Sequence, residues 1–259
     1  MSEKFVGQQQ GWIDGWYPVI LNRALLPHVP QLVENRNGQF CVSVDFSPSF
    51  IAEVCRHGYM PMGEMARGRS ILLIKSHQER CILDFDDLHI SRKLKRYART
   101  LTFRINHNFS ECLNQTVAYH HPDTWLIKPL CDALIFLHQK SIFDVKFHSI
   151  EIYDNDTLIA GEIGYTTGAI YSSLAGFHTQ NGSGSVQLAV LGKILQDSSF
   201  AFWDLGMPIP YKESLGATIT NRQTFLERWK IDGDRPTPSW SAETLEADQI
   251  LQKLKRNPA

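Results

Sequence analysis

The chain has 259 residues, 43% of them hydrophobic and 20% charged, with a formal net charge of -1. That is enough for one large or two ordinary domains with a real core, and the balanced signs exclude a polycation that wraps nucleic acid over its whole surface. No stretch reaches the ~20 apolar residues of a membrane span, and MSEKFVGQQQGWIDGW holds no secretory apolar run, so a cytoplasmic location is expected.

In chain order, the first forty residues read as irregular. FCVSV is a short strand, and Ser47 with Pro48 opens a helix whose inner face is Phe50, Ile51, Val54 and Cys55, ended by Gly58. SILLIKS and RCILDF read as two strands joined by the short turn His77 to Glu79. LHISRKLKRYAR follows, with five cations (Arg92, Lys93, Lys95, Arg96, Arg99) and no acid in twelve residues. Ser91 caps a helix there, and Asp84, Asp86 and Asp87 precede it. Its spacing of i, i+4, i+7 puts Arg92, Arg96 and Arg99 on one face. TFRINHNF is a strand candidate; SECLNQTVAYH and LCDALIFLHQKSIF are helices.

From residue 147 the pattern turns to strands. FHSIEIYDN and TLIAGEIGYTT alternate around a tight turn at Asp154 to Asp156, and GAIYSSLAGF follows. The loop HTQNGSGS leads into the helical VQLAVLGKILQD, then the strand FAFWDLG, the segment SLGA and the helical TFLERW. Residues from 236 are polar and read as a peripheral, partly helical tail. The five cysteines are scattered with no CxxC pair, which fits reduced thiols. His107, His120 and His121 near Cys112 match no ligand template, so no metal site is expected and loop or surface histidines account for them.

Helix pair, antiparallel meander, glycine-bearing loop, helix, strand is the order of a GNAT-type N-acyltransferase. The strings DFSPSFIAEVCRHGYMP, LHISRKLKR, TWLIKPLCDALIFLH, HSIEIYDNDTLIAGEIG and SLGATITNRQTFLERW go further: the chain resembles the leucyl/phenylalanyl-tRNA-protein transferase family from about Gly38 to Trp229. The resemblance implies an α+β chain. A small N-terminal α/β domain (1–80) would pack on a GNAT-like aminoacyltransferase domain (81–235) with a mostly antiparallel sheet, followed by the tail (236–259). It implies transfer of a leucine- or phenylalanine-like amino acid from aminoacyl-tRNA to the N-terminal amine of an acceptor protein, as in N-degron tagging, by a monomer without a cofactor.

By the same resemblance the basic residues Arg92, Lys93, Lys95, Arg96 and Arg99 would hold tRNA phosphates, which guanidinium groups bind in bidentate fashion. Asp204 would orient or deprotonate the acceptor amine, or bind the cationic N-terminal residue of the acceptor; Trp125 would lie near the adenosine, and Tyr171 and Phe177 would be aromatic members of the pocket. The chain departs from the family pattern at several pocket positions. Gly206 replaces a glutamine, Leu174 a glutamate and Met62 a tryptophan; Ser185 and Val186 stand for a serine-lysine pair. Glu162 replaces an apolar residue of the side-chain pocket, so it either points out of the sheet or makes the pocket prefer a polar or cationic side chain. Two other readings stay open: a CoA-dependent GNAT acyltransferase using the QNGSGS loop, and a degenerate protein that binds tRNA or N-degrons without transfer.

Overall fold

The computed structural model describes residues 17–34, 38–240 and 245–252; the N-terminal segment read above for a secretory run lies outside them. After a short 3-10 turn come α1 (Val29–Glu34), β1 (Phe40–Ser43) and α2 (Pro48–Arg56). The start of α2 is as expected, since a proline at the first helical position lacks only an N–H that the helix leaves unpaired. The Ser47 hydroxyl does not cap it but accepts from Arg23 at 3.3 Å. β2 (Met60–Ala66) and β3 (Arg69–Lys75) form a hairpin, and β1 pairs with β3 to complete a three-stranded antiparallel sheet.

The two strands expected on either side of His77 form, but they part into different sheets. β4 (Glu79–Leu83) does not pair with β3; it enters a second, eight-stranded sheet. Arg80, near the start of β4, is buried, and a buried guanidinium must find an anion. It finds one on a strand more than a hundred residues away.

Then come α3 (Arg92–Tyr97), β5 (Leu101–Ile105), α4 (Phe109–Tyr119) and α5 (Lys128–Gln139). β6 (Lys146–Asp154), β7 (Thr157–Thr167) and β8 (Ile170–His178) continue an antiparallel meander from β5. α6 (Ser183–Asp197) crosses over to β9 (Phe202–Gly206), which runs parallel to β8. α7 (Pro210–Glu213), β10 (Thr218–Asn221) and α8 (Arg222–Gly233) follow, and then β11 (Leu245–Glu246) and α9 (Ala247–Gln252). The sheet order is β10-β4-β9-β8-β7-β6-β5-β11, with every described pairing antiparallel except β8–β9. This is the GNAT-like α+β arrangement: a meander, a helix, and one parallel strand.

Each face of the large sheet carries a core. On one, Phe147, Ile163, Phe202 and Trp229 pack with Ile51, Val54, Leu72 and Ile74 of the N-terminal elements, so the two sheets share one apolar cluster. On the other, Val186, Val190 and Leu191 of α6 pack against Ile150, Ile152 and Trp203.

The C-terminal segment corrects the sequence reading, for it is not peripheral. β11 pairs with β5, Ala247, Ile250 and Leu251 are buried, and the Trp240 ring lies 5.5 Å from both Tyr171 and Phe200. Trp240, Ala247, Ile250 and Leu251 join the core built by α6, an arrangement that a polar average conceals.

Candidate active site

β8 and β9 pair only where Ile170–Ser172 meet Phe202–Asp204. Beyond that point β8 continues along β7 while β9 ends beside β4, and the strands part. The bend has a local cause. Ile163 faces Ala175 and Gly164 faces Ser173, so Leu174 is an extra residue bulged out of β8. The resulting cleft has two lobes of about 270 and 370 Å³, which share Ser173–Gly176 of β8, Leu205 and Lys212. Alternation along the strands assigns the lobes to opposite faces of the sheet: Ser172 and Asp204 project to one face, Tyr171 and Trp203 to the other.

The smaller lobe is walled by Arg80, Trp125, Ser172 and Gly206. Asp204 stands behind this wall, fully buried. Its Oδ1 accepts from Arg80 Nε at 2.9 Å and from the Gly206 N–H at 3.0 Å; its Oδ2 accepts from Arg80 Nη2 at 2.5 Å and from Ser172 Oγ at 2.6 Å. A carboxylate with four donors cannot take a proton from an amine without giving one up. Held this way, Asp204 does not itself line the lobe; it fixes Arg80 and Ser172, which do. Arg80 also contacts Nδ1 of His77, whose pKa is pushed down by burial and by the cation beside it. Gly206 adopts φ +79°, the left-handed conformation that favours glycine, which turns its N–H back to Asp204.

The larger lobe contains Glu162, with Gln187 of α6 and Phe177. Of the two placements open to Glu162, the inward one holds: it is buried and lines the lobe. Oε1 accepts the hydroxyls of Tyr171 and Ser173, each at 2.8 Å. Burial pushes its pKa up, and these hydrogen bonds oppose that shift. Tyr171 is therefore not a pocket wall. It lies fully buried behind Glu162, where Gly164 allows the approach: a Cβ there would sit 2.2 Å from the Tyr171 hydroxyl.

Other expected residues divide. Trp125 lines the smaller lobe, and its carbonyl accepts from the N–H of Gly63 at 2.8 Å. Leu174 lines both lobes. Met62 lines neither; it is half-buried on β2 opposite Leu73, and Met60 reaches the cleft instead. Ser185 borders the larger lobe, while Val186 is buried in the core beneath α6. His120 lines both lobes, its Nε2 2.9 Å from the Gly176 carbonyl oxygen. No group of three potential metal ligands occurs among the described residues.

Sequence reasoning missed Arg80 and Lys212. An arginine heading the apolar run Cys81–Leu83 was a signal of a buried partner. Lys212 gave none: its Nζ donates to the carbonyls of Leu205 at 2.5 Å and Met207 at 2.7 Å, and it faces both lobes with a pKa lowered by burial.

The basic segment is capped as expected, Ser91 Oγ accepting from the Lys93 N–H at 3.4 Å. The α-helix ends at Tyr97, however, so Arg99 stands on a 3-10 turn and the single helical stripe through all three arginines is not formed. Lys93, Arg96 and Arg99 are exposed; the side chains of Arg92 and Lys95 lie outside the described set. Tyr97 donates to Gln180 Oε1 at 3.3 Å, which ties this basic patch to the glycine loop bordering the larger lobe.

The chain is similar to several known proteins. A protein named leucyl/phenylalanyl-tRNA--protein transferase from Pseudomonas fluorescens is 27% identical over 219 residues, covering 83% of this chain and 94% of the relative. One of the same name from Pseudomonas syringae pv. syringae is 28% identical over 232 residues, covering 87% and 98%. Among solved structures, a GCN5-related N-acetyltransferase from Anabaena variabilis aligns over 77% of this chain and 48% of its own at 16% identity, with a TM-score of 0.38. The family pattern described as leucyl/phenylalanyl-tRNA protein transferase matches residues 82–230, more than half of the chain. That stretch runs from β4 through the basic helix, the split of β8 from β9 and Asp204 into α8, and by it the chain belongs to the leucyl/phenylalanyl-tRNA protein transferase family.

Proposed function

We propose that this protein transfers an amino acid from aminoacyl-tRNA to the N-terminal amine of an acceptor protein. The observation that carries this reading is the family match across residues 82–230, because that stretch holds the basic patch, most of the two-lobed cleft and Asp204, the partner of Arg80. Lys93, Arg96 and Arg99 bind phosphates of the donor, which positions it without reading its sequence. The terminal adenosine lies against Trp125 in the smaller lobe, and the aminoacyl side chain enters the larger one.

The donor ester is already activated. An N-terminal amine with a pKa of roughly 7.7–8.0 is partly neutral at physiological pH, so alignment matters more than a strong base. The amine nitrogen attacks the ester carbonyl, the new C–N bond forms, the C–O bond to the ribose breaks, and the amine's proton leaves with the ribose oxygen. Arg80, held by Asp204, and Lys212 supply positive charge towards the developing oxyanion. In this reading the protein works as a monomer in the cytoplasm, where charged tRNA is found.

The test is incubation with separately radiolabelled aminoacyl-tRNAs and peptides beginning with Arg, Lys, Asp or Glu. Label in peptide is expected. Retained tRNA without label in peptide would leave a binding protein, and acetyl transfer from acetyl-CoA in its place would favour a CoA-dependent enzyme.

A further inference from the structure

The floor of the larger lobe is chemically unlike a site for an aliphatic or aromatic side chain. Glu162 is buried at 4% exposure, and no ion pair engages it among the described residues. Both hydroxyls that serve it go to Oε1, which leaves Oε2 for a ligand. Gln187 stands beside it on α6, also 4% exposed; its amide lies close enough to hold the Glu162 pKa down, while its buried Nε2 makes no hydrogen bond of regular geometry. Two adjacent polar groups with unspent hydrogen-bonding capacity thus face one cavity of about 370 Å³. Lys212 does not answer Glu162 directly, since its ammonium donates to two backbone carbonyls.

From these groups we infer that the larger lobe selects a cationic side chain, of the lysine or arginine class, on the transferred amino acid. This rests on the transferase reading and names its substrate class. An ammonium or guanidinium entering the lobe makes a charge-assisted bond to Glu162 and supplies the direct ion-pair partner that Lys212, acting only at longer range, does not. The Gln187 amide then gives its N–H to Glu162 and its carbonyl to the incoming cation. A leucyl or phenylalanyl side chain would instead strip water from the carboxylate and return no hydrogen bond. Sites built to hydrogen-bond a substrate reject analogues lacking the group far more strongly than apolar pockets reject size variants.

The experiment compares transfer from tRNAs charged with Lys, Arg, Leu and Phe to one acceptor peptide, in wild type, Glu162→Gln and Glu162→Met. In parallel, calorimetry measures binding of stable 3′-lysylamino and 3′-leucylamino adenosine analogues. Wild type is expected to favour Lys or Arg over Leu and Phe at least tenfold in kcat/KM, with the lysyl analogue binding tighter by a similar factor. Glu162→Met should reverse the order while Glu162→Gln, isosteric and neutral, should narrow it, at melting temperatures that show both variants folded. Preference for Leu or Phe in wild type, or an order unchanged in Glu162→Met, overturns the inference and leaves the transferase reading intact. If no aminoacyl group is transferred, tighter binding of the lysyl analogue sustains the subsite and defeats the transferase reading; equal, reversed or absent binding overturns the subsite as well.

Discussion

Arg80 and Asp204 lie 124 residues apart in sequence and join β4 to β9 through two parallel hydrogen bonds of 2.9 and 2.5 Å inside the protein. Both side chains are almost wholly removed from water, at 3% and 0% exposure. Removing one partner from such a pair strands a buried charge, at a cost of about 3–5 kcal/mol. Arg80→Met should therefore lower the melting temperature by on the order of 10 °C and abolish transfer. The double variant Arg80→Met with Asp204→Leu should recover a large part of the stability and none of the activity. Circular dichroism melts of wild type, Arg80→Met, Asp204→Leu and the double variant check this; additive losses would deny the pair its role.

Exposed cations on α3 and the turn after it make a different prediction. Replacing Lys93, Arg96 and Arg99 together by alanine disturbs nothing buried, so the melting temperature should stay within a degree or two. Affinity for tRNA should fall, and the slope of log affinity against log salt should flatten by up to about three, roughly one unit for each phosphate that is no longer neutralised. A salt titration of tRNA binding reads this directly.

His148 makes the fold sensitive to acid. Its Nδ1 accepts from Asn106 Nδ2 at 3.0 Å and its Nε2–H donates to Thr166 Oγ1 at 3.1 Å, an arrangement that needs the neutral ring. Burial, with help from Lys146, lowers its pKa to about 3 from an ordinary 6.5. Between those values the unfolded chain binds a proton that the folded chain refuses, so this contribution is complete above pH 6.5 and is lost as pH falls towards 3. His148→Gln should be less stable at pH 7, yet its melting temperature should drop less than that of wild type between pH 7 and pH 4.

Trp240 packs its ring 4.9 Å from His148 and 5.5 Å from Tyr171, the residue that hydrogen-bonds Glu162. Trp240→Ala should cost about 2 kcal/mol, less than a fully buried tryptophan because this one keeps some exposure. It should also loosen the Tyr171–Glu162 hydrogen bond, so discrimination among donors should weaken along with stability. Equilibrium unfolding and donor preference, measured on the same preparation, test both effects.

The meander from residue 146 to 178, the helix after the glycine loop and the strand that carries Asp204 were readable along the chain, because alternation, tight turns and helical periodicity are properties of neighbours. So was the basic segment, since its charge density is local. The family strings carried the acyltransferase arrangement further than pattern could. Meetings between distant segments could not be read that way. The departure of β4 from β3, the enclosure of Asp204 by Arg80 and Ser172, the retreat of Tyr171 behind Glu162 and the docking of Trp240 each depend on a partner at least nine residues off, and mostly tens to more than a hundred. Met60 rather than Met62 reaches the cleft for the same kind of reason: both share one face of a strand, and only the packing of α5 and Trp125 against β2 decides which end is covered. Local sequence sets which elements form; burial of charge and close packing between elements set which side chains meet in the cleft.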